Sequence, residues 1–145
     1  MAGTTFNAFT KKTLGRADAL IRAVGIATFS AIIRDTPVGN PSFWRSGRAP
    51  KGYVGGRLRT NWRCSLAAPD TSTTTATDYA NTIPNAESVC QSADRNKVLW
   101  LSNGLPYAGV IEYDGHSKQA PAGMVRRNVA RIQDLISREL TKLKG

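Results

Sequence analysis

A helical periodicity that runs over residues 10–34 breaks off at Asp35-Thr36-Pro37, and residues 37–56 then hold eight glycines and prolines. Leu14, Ala17, Ile21, Val24, Thr28, Ala31 and Ile32 recur at steps of three and four, which places them on one helical face. Lys12, Arg16, Arg22 and Ser30 fall mostly on the other side. Gly25 is a weak point in this helix, costing ~1 kcal/mol relative to Ala. Pro37 pushes the residue before it out of the α region, so the helix has to end there. The chain must therefore follow a long amphipathic helix with a segment, residues 36–56, that reads as a long loop. Loops of this length inside a compact domain are usually functional or ordered by a partner. Phe43, Trp44 and Tyr53 set this one apart from a flexible linker. Trp44 has two readings of equal weight: a contact with a partner, or a cap on the domain's own core.

Shorter elements are expected after the loop. Residues 57–67 alternate as a strand, with Leu58, Trp62, Cys64 and Leu66 on one face and Arg57, Arg59 and Arg63 on the other. Residues 68–77, rich in Ser, Thr and Asp, form a solvated loop, with a short second strand near Tyr79. Residues 85–93 suggest a short helix with Ile83, Val89 and Cys90 inward, and residues 97–102 an apolar strand. Asn103-Gly104 is a tight-turn pair. Beyond it, residues 107–113 either pair back as a hairpin or form a short helix begun by Pro106 and closed by Gly115; the helix is preferred. Residues 122–144 read as a second amphipathic helix with Val125, Val129, Ile132, Ile136, Leu140 and Leu143 in its apolar stripe. Core positions are assigned to Trp62, Trp100, Val125, Val129 and Ile132. The fold class is α+β: a single domain with a small, mainly antiparallel sheet flanked by a long N-terminal and a long C-terminal helix.

Charge divides the chain. Residues 1–65 carry eleven Lys and Arg against two Asp, residues 66–115 two basic against six acidic, and residues 116–145 seven basic against two acidic, for a net +10. Basic ends and an acidic middle can attract copies of the chain or a neighbour, or offer a basic surface to nucleic acid. Arg45, Arg48, Lys51, Arg57, Arg59 and Arg63 form the dense cluster, interleaved with Trp44, Tyr53 and Trp62. Docking on an acidic protein surface ranks ahead of phosphate contact, because no helix-turn-helix, zinc-finger or RNA-recognition pattern accompanies the cluster.

Catalytic and metal groupings are sparse. The single histidine, His116, has no ligand-spaced partners, and an ion pair with Asp114 or a solvent-exposed ring is its expected role. Glu112 and Asp114 read as solvated or salt-bridged. No Gly-x-Ser-x-Gly elbow or phosphate-binding loop occurs. Cys64 and Cys90 match no zinc or redox spacing and are expected as buried thiols. No apolar run approaches the roughly 20 residues that span a bilayer. The N-terminal residues lack the pattern of a secretory signal, so the chain is expected in the cytoplasm. The expectation is a non-enzyme with no cofactor, metal, membrane or small-molecule substrate.

Two segments resemble a known family. Thr36-Pro37-Val38 with Gly55-Gly56-Arg57-Leu58-Arg59-Thr60-Asn61-Trp62 is one. The other is Asn103-Gly104-Leu105-Pro106-Tyr107-Ala108 through Glu112-Tyr113 and Gln119-Ala120-Pro121-Ala122-Gly123-Met124-Val125-Arg126. Together they resemble the neck, tail-completion or minor tail proteins of long-tailed bacteriophages. In shorter members of that family the valine is followed almost at once by an acidic residue, threonine and glycine; here residues 39–55 intervene. Asp114 also stands where the pattern often has glycine.

The resemblance implies a non-catalytic virion subunit, assembled in the host cytoplasm, that forms a ring, typically sixfold, between head and tail. The partners implied are copies of itself, adjacent head-closure or connector and tail-tube proteins, and genome DNA in the lumen. A sequence-independent nucleic-acid-binding protein is the alternative. The residues assigned to contacts are Trp44, Arg45, Arg48, Lys51, Arg57, Arg59, Tyr107, Glu112 and Tyr113, with Tyr107 equally readable as a folding residue.

Overall fold

The computed structural model describes residues 2–44 and 46–144. Helix α1, Ala2–Asp35, is followed by a single 3-10 turn at Pro41–Phe43, the short helix α2, Arg57–Thr60, and strand β1, Trp62–Ser65. Then come α3, Thr82–Gln91; β2, Trp100–Asn103; α4, Ala108–Tyr113; α5, Val125–Val129; and α6, Ile132–Lys144. The two strands form one antiparallel ladder in which Trp62 faces Asn103 and Cys64 faces Leu101. The architecture is α+β, a two-stranded antiparallel sheet with a long helix at each end of the chain.

The core gathers Ile32 and Ile33 from the end of α1, Leu58, Trp62, Ala86, Leu105 and Met124. Helix α3 lies antiparallel to the second half of α1. Ser30 donates to Glu87 at 3.3 Å, Arg22 to the Ala93 carbonyl at 2.7 Å, and Arg95 pairs with Asp18 at 2.8 Å. Gly25 sits where the elements come closest: a Cβ there would stand 2.7 Å from a Leu99 methyl and 3.4 Å from the Cys90 sulfur. The residue that weakens the helix by propensity therefore lets the helix pack. Cys64 and Cys90 are free thiols within hydrogen-bonding reach of each other. That contact and burial raise the Cys90 thiol, so it stays protonated.

Several expected boundaries move. Helix α1 begins eight residues earlier than its apolar periodicity, and its residues up to 16 are almost all exposed. The strand expected over 57–67 is split. Gly56 takes φ +120° and starts one helical turn, and only Trp62–Ser65 pair. No strand forms near Tyr79 among the described residues. The segment at 107–113 is helix rather than hairpin, with Gly115 at φ +60° after it.

The expected 122–144 helix is two, because the amide of Arg131 bonds the Asn128 carbonyl three residues back and tightens the turn. This break rotates Val129 outward to 50 % exposure, so it is not a core residue. Trp100 is also corrected to 38 % exposed: it pairs with Ser65 on the sheet face opposite Trp62, Cys64 and Leu101.

Candidate functional site

Buried polar contacts, rather than apolar ones alone, join the segments that stood out in the sequence. The Thr36 side chain, fully buried, donates to the Ile32 carbonyl at 2.7 Å and accepts the Trp62 indole N–H at 2.7 Å. Arg59 reaches back to the carbonyls of Thr36, at 2.6 Å, and Arg34, at 2.8 Å. It thus satisfies acceptors at the end of α1 that the helix cannot satisfy itself. The guanidinium also lies over the Tyr79 ring, 4.7 Å from its centroid. Buried Asn61 bonds both backbone groups of Thr74, at 2.7 and 3.0 Å, and holds the solvated loop in place as a strand partner would.

A second node forms at Glu112, which is 5 % exposed. Its carboxylate accepts the backbone N–H groups of Met124, Val125 and Arg126 at 2.7–2.9 Å and the Arg126 side chain at 3.3 Å. Burial alone would raise this carboxyl. The three amides and the guanidinium outweigh burial and hold it below the usual carboxylate range. Gly123, at φ +78°, fits under the same carboxylate, with no room for a Cβ. Asn128, also buried, ties α5 to Asp35 at the end of α1, and Gln119 exchanges two hydrogen bonds with the backbone of Val38.

An open groove of about 1340 Å³ runs between the 36–56 loop and the α4 region. Phe43, Trp44, Tyr53 and Val54 from the loop line it together with Arg57, Tyr107, Ile111, Asp114, His116 and Lys118. Its volume exceeds the roughly 300–1,000 Å³ of ordinary small-molecule pockets. The loop that walls it is a closed excursion. Gly39 and Gly55 meet backbone to backbone at its base, so closely that a Cβ on Gly55 would overlap the Gly39 carbonyl. Trp44 stacks edge-on against Tyr53, with centroids 4.8 Å apart.

The assigned contact residues accordingly separate into groups. Trp44, Arg57 and Tyr107, distant in sequence, share the groove. Tyr107 is 40 % exposed, and its hydroxyl is raised by partial burial. Arg48 and Lys51 are exposed on the loop, and Tyr113 is 69 % exposed under the Arg126 guanidinium. Arg59 and Glu112 are turned inward, with their polar atoms committed to the fold. Arg45 lies outside the described residues. His116 is exposed, as expected.

Sequence reasoning missed Asn61, Asn128 and Gln119. Asn61 and Gln119 stood within the two quoted segments without a role of their own, and Asn128 offered only an amide side chain near a helix start, which is common to many positions.

Among the described residues no helix is long and apolar enough to cross a membrane, and no cluster of His, Cys, Asp and Glu could hold a metal ion. No family model, curated protein or solved structure matches this chain.

Proposed function

We propose that this chain is a structural virion protein that forms a ring at the head–tail interface of a tailed bacteriophage, as a neck, tail-completion or tail-terminator subunit. The carrying observation is that each segment resembling that family closes on itself, through Thr36–Arg59–Trp62 and Glu112–Arg126, that the two are tied together by Gln119 on Val38 and Asn103 on Leu58, and that both line one aromatic groove. Residues committed to the fold and a surface left over for contact suit a subunit of a closed ring.

Large apolar side chains stand in water around the groove and on α1: Phe6, Phe9, Phe43, Val54 and Tyr113 are each more than 60 % exposed. Exposed apolar patches are a mark of protein, membrane or ligand contact surfaces. The nucleic-acid alternative is weakened because Arg57, Arg59 and Arg63 each spend guanidinium N–H groups on backbone carbonyls.

Cryo-electron microscopy of mature particles tests the reading. The fold should fit rotationally repeated density at the joint between head and tail. Particles that lack the protein altogether would refute it.

A further inference from the structure

Cys64 and Cys90 are the only cysteines of the chain, and the fold sets them against each other. On β1, Trp62 and Cys64 share one face, a step of two residues or about 6.6 Å. On α3, Ala86 and Cys90 are both buried and four residues apart, about 6 Å along one helical face. The two steps match. Trp62 and Ala86 meet in the core, and Cys64 accordingly lies over Cys90. The Cys90 thiol donates its hydrogen to the Cys64 sulfur.

The pair is asymmetric. Cys90 is fully buried, with Gly25 of α1 against its sulfur. Cys64 is only partly buried and lines a cavity of about 190 Å³ with Arg63, Asp78, Asn81 and Asn85, which has room for several water-sized molecules. Cys90 does not line that cavity. The hydrogen bond from Cys90 lowers the Cys64 thiol against the opposing effect of burial, and the same contact raises Cys90. Cys64 is thus the sulfur that a small oxidant meets first, and the one nearer its thiolate form.

We propose that Cys64 and Cys90 are a peroxide-responsive pair, in which Cys64 is oxidised first and Cys90 then closes a disulfide between β1 and α3. The Cys64 thiolate attacks one oxygen of hydrogen peroxide and the O–O bond breaks. Cys64 becomes a sulfenic acid, and the departing hydroxide takes up the proton that Cys64 had lost, as water. The Cys90 sulfur then attacks the Cys64 sulfur. The S–O bond breaks, hydroxyl and the Cys90 proton leave as water, and the S–S bond forms. Two thiols and one peroxide give one disulfide and two waters. The first step readies the second, because it removes the Cys64 partner that chiefly holds the proton on Cys90. A reducing compartment keeps such a pair open and an oxidising one closes it. Neither the ring nor its contacts enter into this chemistry.

The test exposes the reduced, folded full chain briefly to hydrogen peroxide, alkylates the remaining thiols in denaturant and reads the mass. The chain should lose two hydrogens and take up no alkyl group, and digestion without reduction should yield one peptide pair joined at Cys64 and Cys90. The oxidised chain should melt about 5–10 °C higher, because the cross-link closes residues 65–89 into a loop, and a thiol reductant should reverse the shift. Cys90→Ser should leave a sulfenic acid on Cys64 that dimedone traps, whereas Cys64→Ser should leave Cys90 unreacted.

A folded wild type that keeps both thiols open to alkylation would overturn the proposal, as would a disulfide joining Cys64 of two chains. Equal reaction of the urea-unfolded chain would also overturn it, since the fold would then contribute nothing. Dimedone labelling of Cys90 in Cys64→Ser at the rate of Cys64 in Cys90→Ser would overturn the assigned order.

Discussion

Single side chains in this protein act chiefly by closing buried polar accounts, and Glu112 is the clearest case. Its carboxylate takes three backbone amides where the chain enters α5, and no neutral side chain can do so equally well. Glu112→Gln keeps the shape but sets an amide N–H₂ against N–H donors, and should cost about 2–3 kcal/mol in chemical denaturation. The pH dependence follows from the depressed carboxyl. Its contribution is complete above the unfolded carboxylate value of about 4.3 and is lost as pH falls through the lower folded value. The wild type should therefore lose stability in acid more steeply than the Gln variant, a difference visible in melting curves between pH 6 and pH 3.

Thr28 shows the converse. Its buried hydroxyl has no hydrogen-bond partner, so Thr28→Val should leave the melting temperature equal or higher. A clear drop would mean that the hydroxyl is used.

Elements were legible where period and punctuation agreed. Helix α1 declared itself by its stripe and by the Thr36-Pro37 stop, and α3 by its apolar spacing. Residues 2–9 of α1 escaped because their only large apolar side chains, Phe6 and Phe9, are exposed and continue no buried stripe. Residues 57–60 looked like strand because Arg57, Leu58 and Arg59 alternate, but Arg59 must turn back to cap α1, and only a helical turn delivers it there. Trp100 and Val129 were misplaced for a related reason: an aromatic or β-branched residue fits either face of a two-stranded sheet or a broken helix, and pairing and turn geometry decide.

The candidate site was half legible. Trp44, Arg57 and Tyr107 were named without any sign that they converge. The intervening 39–55 segment was recognisable as an insertion, and its base is pinched shut by Gly39 and Gly55. Replacing residues 40–54 with two glycines should therefore leave the far-ultraviolet spectrum intact and shift the melting temperature by only a few degrees. The same change removes Phe43, Trp44, Tyr53 and Val54 from the groove, and if the proposed ring is built on that groove it should abolish self-association, read by light scattering.

At the scale of the whole molecule, the features turned to solvent are the exposed first half of α1, an aromatic groove and an uneven charge. The chain's own packing explains Thr36, Arg59, Trp62 and Glu112 and leaves those three unexplained. The proposed ring subunit, in contact with its neighbours, would give all three a use. If the proposed function holds, deletion of this protein from the phage that encodes it, followed by electron microscopy of the lysate, tests that account most directly. The account predicts filled or emptied heads separate from free tails, with joined particles restored when the protein is supplied in trans. Normal numbers of joined, infectious particles in its absence would contradict it.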